Sequence, residues 1–193
     1  MSINYTDDPI SMLRTVYTAI DLNNDLDRKT IKEITEKSWN ICGAAAEEIS
    51  AELDRILISG NPEKGLQLLA DTELLRYIIP ELWLQIGYDQ DSPYHSLTLW
   101  EHSKKVVGLS LCEPETRWAS LLHDIGKPFA KKKNSKGHSS FFMHDKIGAE
   151  MARGIACRLG WTPDRTDRVI LLIGTHMNDD SPLRQADNCA KKG

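Results

Sequence analysis

Residues 121–128, LLHDIGKP, end an apolar run and set histidine and aspartate side by side. Both are residue types that bind metal ions. Adjacent side chains on an α-helix point about 100° apart. His123 and Asp124 can therefore serve one site only if the helix unwinds there or if a metal lies between them. Gly126 and Pro128 follow at once and favour such an end to the helix.

The composition is typical of a globular chain, with 193 residues of which 40% are apolar and 27% charged. No apolar run approaches the roughly 20 residues of a membrane span, and the N-terminus lacks a secretory signal pattern, so we expect a cytoplasmic protein without membrane contact. The four cysteines form no C-x-x-C pair, which favours reduced thiols. The net charge of −4 disfavours a general nucleic-acid coat but allows a local basic patch.

Apolar residues recur at helical spacing, and the sequence predicts an all-α fold. Asp8-Pro9 and Asp27 are expected to begin the first two helices. Further helices are predicted over 44–59, 62–71, 98–111, 114–124, 144–160, 163–177 and 181–190. Residues 125–142 are expected to form a long basic loop, and no strand is predicted, because β-branched residues never alternate cleanly with polar ones. The polar stretch 85–94 predicts a boundary, with one helical bundle over 1–90 packed on another over 91–193.

All six histidines lie beyond residue 94: His95, His102, His123, His138, His144 and His176. A lone histidine on an apolar helix is more often a core residue than a ligand. Four of these histidines, however, fall near predicted helix ends, where imidazoles can converge while the apolar faces pack. Imidazole with carboxylate suits Zn, Mn, Fe, Ni or Co, and Mg less. Asp124 can bridge two such cations or anchor one.

Three further residues are candidates for contact with a phosphorylated substrate. Lys127 is either a phosphate-binding point charge or a solvated loop lysine. His138, in a loop with four lysines, belongs either to a lid over a polyanion or to a solvated loop. His95 either points into the cleft or packs in the core or at the surface. The residues alone leave these alternatives open.

The series His102, His123-Asp124, His144 and His176 resembles the HD superfamily of metal-dependent phosphohydrolases. The resemblance implies that these residues are metal ligands. The last two histidines match the extra pair of the two-metal members, which implies room for a second cation.

The same resemblance implies a late aspartate among the metal ligands. Asp187 is favoured, because a helix from about residue 181 could carry it back to the cleft. Asp179 and Asp180 are the alternatives, although they look more like loop and helix-capping residues.

A second resemblance covers nearly the whole chain. The stretches 7–34 (DDPISMLRTVYTAIDLNNDLDRKTIKEI), 45–82 and 92–103 (SPYHSLTLWEHS) look like the neck and HD-domain entry of bacterial CCA-adding tRNA nucleotidyltransferases and related poly(A) polymerases. In that family an N-terminal head performs the transfer, and this chain begins at the neck. Where the family's neck has a base-reading arginine, this chain has Ser11, which cannot make a bidentate charged contact. We therefore expect no nucleotidyl transfer from this chain alone.

These resemblances imply a metal-dependent phosphomonoesterase or 2′,3′-cyclic phosphodiesterase that acts on nucleotides or RNA ends. Asp124 and Lys127 would be catalytic, and His95, Lys127 and His138 would contact substrate. One or two divalent ions (Mn, Ni, Co, Fe, Zn or Mg) would be the cofactor. The alternatives are a non-catalytic tRNA-binding or partner module that works with a separate nucleotidyltransferase head, and an inactive remnant. The intact set of ligand-type residues disfavours a pure binding module, which has no need of it.

Overall fold

The computed structural model describes residues 5–91, 97–133, 137 and 139–191. Its elements are helices apart from one small hairpin, which confirms the all-α prediction. The chain divides into two compact units, Met1–Trp83 and Leu84–Gly193, so the polar residues 85–91 belong to the second unit. No helix in the described part of the chain is long and apolar enough to cross a membrane.

Within residues 5–83, the first unit is a bundle of six α-helices and a 3-10 helix. In chain order these are α1 (Ser11–Asp21), α2 (Arg28–Lys37), the 3-10 helix (Ser38–Gly43), α3 (Ala46–Leu57), α4 (Pro62–Asp71), α5 (Leu74–Ile78) and α6 (Pro80–Trp83). Helix α1 packs against α3 and α4, and buries Met12, Leu13 and Val16 completely. Apolar residues at this helical spacing form one face, and burial of that face holds the unit together.

The caps of the first two helices were predicted with different success. Asp27 caps α2 as expected, because its side chain accepts a hydrogen bond from the Thr30 backbone N–H at 2.7 Å. Helix α1, in contrast, begins at Ser11 rather than at Asp8-Pro9. The backbone carbonyl of Asp8 accepts both the N–H and the hydroxyl of Ser11, so a tight turn precedes the helix.

The described residues of the second unit contain six α-helices. They are α7 (Leu99–Leu109), α8 (Pro114–Leu122), α9 (Lys127–Ala130), α10 (His144–Arg158), α11 (Pro163–Thr175) and α12 (Pro182–Ala190). Helix α11 packs between α8 and α10, while α7 packs against α8 and α12. Trp118, Ile125 and Ile173 are fully buried in this unit. The packing of these helices brings several of their ends close together.

The predicted loop 125–142 contains regular structure, so this part of the sequence prediction is wrong. Helix α9 lies within it, and Lys132–Lys133 (β1) pairs antiparallel with Ser139–Ser140 (β2). Strands of two residues are too short to show an alternating pattern, so no sequence periodicity indicates them. The hairpin is held by the side chain of Asp91, which contacts both Lys133 and Ser139.

The start of α7 provides a test of how local structure supports the site. The Thr98 hydroxyl accepts a hydrogen bond from the Glu101 backbone N–H at 3.3 Å and so caps this helix, one turn before His102. We expect Thr98→Ala to lower the free energy of unfolding by about 1 kcal/mol, because an N–H loses its acceptor. Thr98→Ser keeps the hydroxyl and is the control. Urea titration measures both, and equal loss in the two variants would contradict the capping role.

Candidate metal centre

Six buried side chains converge where helices of the second unit begin and end. They are His102 in α7, His123 at the end of α8, Asp124 in the turn that follows, His144 at the start of α10, His176 at the end of α11, and Asp187 in α12. Each is at most 9% exposed. The structure thus brings together all six residues that the sequence singled out as metal ligands.

Three of these histidines are oriented by the same local hydrogen bond. In His123, His144 and His176, Nδ1 lies 2.7 Å from the backbone carbonyl three residues earlier in the chain. Because a carbonyl only accepts, Nδ1 must donate, and Nε2 is then the basic nitrogen of a neutral ring. The carbonyls of Ser120 and Ile173 belong to the last turns of α8 and α11, and that of Phe141 to the turn before α10, so the backbone at these helix ends orients the rings.

The first cluster consists of His102, His123 and Asp124, whose ligand atoms lie within 4.8 Å of one another. Oδ2 of Asp124 is 3.1 Å from His123 Nε2 and 3.5 Å from His102 Nε2. Asp187 joins this cluster, since its Oδ1 lies 3.1 Å from His102 Nε2. Two imidazoles and two carboxylates therefore surround one small volume.

The second cluster consists of Asp124, His144 and His176. The Nε2 atoms of the two histidines are 3.2 Å apart, and they lie 3.2 and 4.0 Å from Asp124 Oδ1. Asp124 therefore belongs to both clusters, and it turns a different oxygen to each. A carboxylate placed in this way can bridge two cations or anchor one.

The donor atoms fit a divalent metal. His123 Nε2 is buried and makes no hydrogen bond within the described ranges, although Asp124 Oδ2 is only 3.1 Å away. A buried polar atom without a partner is costly, and a cation would satisfy it. Imidazole nitrogens combined with carboxylate oxygens suit first-row transition metals and zinc. These residues could therefore hold one or two divalent ions.

Burial and nearby charges shift the pKa values of several candidate ligands. Metal binding requires ionised carboxylates and neutral imidazoles. Burial alone would raise the pKa of Asp124, but the charges of His123 and Lys127 hold it well below its usual value. Burial lowers the pKa of His176 to about 4 and also lowers that of His102. Burial would lower the pKa of His123 too, but the adjacent Asp124 raises it. Asp124 is therefore ionised, and two of the imidazoles are neutral, at neutral pH.

A cavity of about 270 Å³ opens beside the second cluster. It is lined by Asp124, Lys127, Phe141, His144, His176, Met177, Asp187 and Lys191. Lys127 is 6% exposed, and its Nζ lies 2.7 Å from Asp124 Oδ2, so it is not a solvated loop lysine. Lys191 Nζ lies 2.6 Å from Asp187 Oδ2. Two ammonium groups thus adjoin the candidate ligands. A groove of about 550 Å³ along α1 is larger, but no histidine from the described part of the chain lines it.

The remaining sequence candidates have different outcomes. His95 and His138 lie outside the described residues. Asp179 and Asp180 are exposed, and neither belongs to the two clusters. The sequence did not single out Lys191. Its position four residues after Asp187 on one helix was the available signal, because such pairs share a helix face.

Comparison with known proteins identifies the protein family to which the chain belongs. The family model "HD domain" matches residues 94–191, and the chain belongs to this family. A second model, "Probable RNA and SrmB-binding site of polymerase A", matches residues 25–86.

The chain is also similar in sequence to individual tRNA nucleotidyltransferases. The chain is 33% identical over 187 residues to a CC-adding tRNA nucleotidyltransferase of Thermus thermophilus, with 91% of this chain and 43% of the relative covered. An A-adding tRNA nucleotidyltransferase of Deinococcus radiodurans is 30% identical over 198 residues, with coverage of 94% and 45%. The chain thus spans less than half the length of these relatives. The matches fit the neck and HD-domain parts of that family, as the sequence predicted.

Proposed function

We propose that this protein is a metal-dependent phosphohydrolase that acts on nucleotides or RNA ends as a phosphomonoesterase or 2′,3′-cyclic phosphodiesterase. The observation that carries the proposal is the pair of His/Asp clusters sharing Asp124 beside a cavity lined by the buried Lys127. Membership of the HD family supports it. The names of the relatives, which act on tRNA, support the choice of nucleotides or RNA ends as substrates.

The mechanism assigns separate tasks to the residues of the site. His102, His123, Asp124, His144, His176 and Asp187 hold the ions. A divalent ion bound there would supply an acidified water and a Lewis acid for a phosphoryl oxygen. Lys127, held beside Asp124, presents a positive charge to the phosphoryl oxygens, where negative charge accumulates during hydrolysis. We expect Mn, Fe, Co, Ni or Zn to be preferred over Mg, because imidazole is a poor ligand for Mg.

The proposal is tested by measuring the metal content of the purified protein and its hydrolysis of three substrates. These are 2′,3′-cyclic AMP, nucleoside monophosphates and p-nitrophenyl phosphate, each assayed with Mn, Ni, Co and Mg. We expect turnover that depends on the metal and disappears after treatment with a chelator. Protein that holds no metal and hydrolyses none of these esters would overturn the proposal.

The two clusters predict two metal ions per chain. His176→Ala removes a ligand that only the second cluster uses, so we expect the metal content to fall from two ions to one. His102→Ala should remove the other ion. Asn178→Ala changes an exposed residue near the end of α11 and is the control. Elemental analysis of the three variants measures this. A content of one ion in both the parent protein and His176→Ala would contradict the two-ion arrangement.

A second function is favoured by the match of residues 25–86 to an RNA-binding model. In this alternative the chain is a non-catalytic module that binds tRNA, or a separate nucleotidyltransferase subunit, without needing metal. The test is tRNA binding by chelator-treated protein in a gel-shift assay. Tight binding without metal, combined with no hydrolysis by the metal-loaded protein, would favour this alternative over the phosphohydrolase.

A further inference from the structure

Gln90 is a buried polar residue beside the site that the proposed mechanism does not use. It is 1% exposed, and its side-chain Oε1 lies 2.8 Å from the Lys127 ammonium. Lys127 Nζ also forms an ion pair with Asp124, whose Oδ2 lies 2.7 Å away. A neutral acceptor and an ionised carboxylate thus hold a buried cation from two directions.

The orientation of the Gln90 amide follows from its two neighbours. An ammonium group has donors only, so Lys127 must face the amide oxygen. The amide nitrogen lies 3.4 Å from the backbone carbonyl of Leu97, which can only accept. Both contacts require the same orientation of the amide group. The Gln90 side chain is therefore fixed with its oxygen toward Lys127.

The backbone that carries Gln90 is held from both sides. The Tyr88 carbonyl accepts the first backbone N–H of α7 at 3.0 Å. On the other side, the Asp91 carbonyl accepts the Ser139 N–H at 3.3 Å, so the basic hairpin is attached to the same segment. Lys131 reaches the carbonyl of Asp89 at 3.1 Å. Because the backbone of this segment is fixed, the Gln90 side chain can hold another side chain in place.

We infer that Gln90 is a positioning residue for Lys127: it holds the ammonium group between Asp124 and the cavity, where that group meets a phosphoryl oxygen of the substrate. The inference rests on the proposed function, and it adds a residue 37 positions away in the chain. An ammonium group has three N–H donors; one of them donates to Gln90, and the ion pair with Asp124 holds the group from a second side. A further N–H is available to an oxyanion in the cavity that Lys127 lines.

Without Gln90, Lys127 would keep its charge and its contact with Asp124. The long lysine side chain would then have more conformational freedom. Its ammonium group would face the cavity less often and would contact the Asp124 carboxylate more often. Binding of phosphate and turnover should both weaken. The metal content should stay unchanged, because the hydrogen bonds that Gln90 makes within the described residues go to Lys127 and Leu97, which are not candidate ligands.

The experiment measures the affinity of metal-loaded protein for inorganic phosphate by calorimetry, together with kcat and KM for p-nitrophenyl phosphate. Gln90→Leu keeps a side chain of similar size but removes the acceptor, and we expect about tenfold weaker phosphate binding. Gln185→Leu, an exposed position on α12, is the control. In a Lys127→Met background, Gln90→Leu should have no further effect, because the group it positions is gone.

The outcomes distinguish failure of the positioning role of Gln90 from failure of the proposed phosphohydrolase function. Equal phosphate affinity in the parent and Gln90→Leu, with a clear loss in Lys127→Met, would overturn the positioning role alone. Equal further loss on adding Gln90→Leu to Lys127→Met would assign Gln90 a merely structural role and also overturn it. A metal-loaded parent that neither binds phosphate nor hydrolyses the ester would overturn the proposed function and this inference with it.

Discussion

Asp124→Asn is expected to remove the metal from the purified protein and to lower phosphohydrolase turnover roughly 1,000-fold. Asp124 is the one residue that belongs to both clusters, and its two oxygens face different sets of histidines. Asparagine has nearly the same shape but carries no charge and offers only one oxygen. The substitution therefore weakens both sites at once, whereas loss of any one histidine weakens one.

Asparagine is preferable to alanine as the main variant, because Asp124 is also the partner of the buried Lys127. Removing one partner of a buried ion pair can destabilise a fold by about 3–5 kcal/mol. Asp179→Asn makes the same chemical change at an exposed position and is the matched control. Circular dichroism and a thermal melt establish that each variant is folded. Metal-dependent turnover that survives in folded Asp124→Asn would contradict the assigned role.

Most of the candidate site could be predicted from the sequence because its residues lie at helix ends. The apolar period of α8 stops at LLHD, and that of α11 stops before His176, so the pattern that defines each helix also locates its end. Asp187 was harder to select, since two other aspartates lie nearby in sequence. It is buried in α12, whereas Asp179 is exposed.

The rest of the site depends on contacts between distant parts of the chain, which no local period reveals. Gln90 meets Lys127 across 37 positions, from a polar stretch that reads only as a boundary. The hairpin at β1 and β2 is likewise attached to Asp91 by tertiary contacts. Sequence patterns report which face of an element is buried, but not which polar groups meet there.

Gly126→Ala is expected to lower the free energy of unfolding by about 3 kcal/mol and to impair metal binding. The sequence suggested that this glycine serves to end a helix. Its φ of −79° is accessible to any residue, however, so conformational freedom is not what the position requires. What it requires is space, because a Cβ atom there would lie 2.2 Å from the His144 carbonyl oxygen and 2.8 Å from the Gly148 backbone nitrogen. Both neighbours are backbone atoms of α10, so the whole start of that helix must move.

Such a movement would carry the His144 imidazole away from Asp124, now 3.2 Å from it, and so separate the ligands of the second cluster. Gly154→Ala is the matched control, because the same change is made farther along α10 where an added Cβ meets nothing within 4 Å. That variant should be more stable than the parent by about 0.5–1 kcal/mol, as alanine favours helix over glycine. Chemical unfolding and metal analysis of the two variants measure the contrast. If Gly126→Ala matched the parent in both stability and metal content, the close approach of α10 to the His123-Asp124 turn could not be what forms the second cluster.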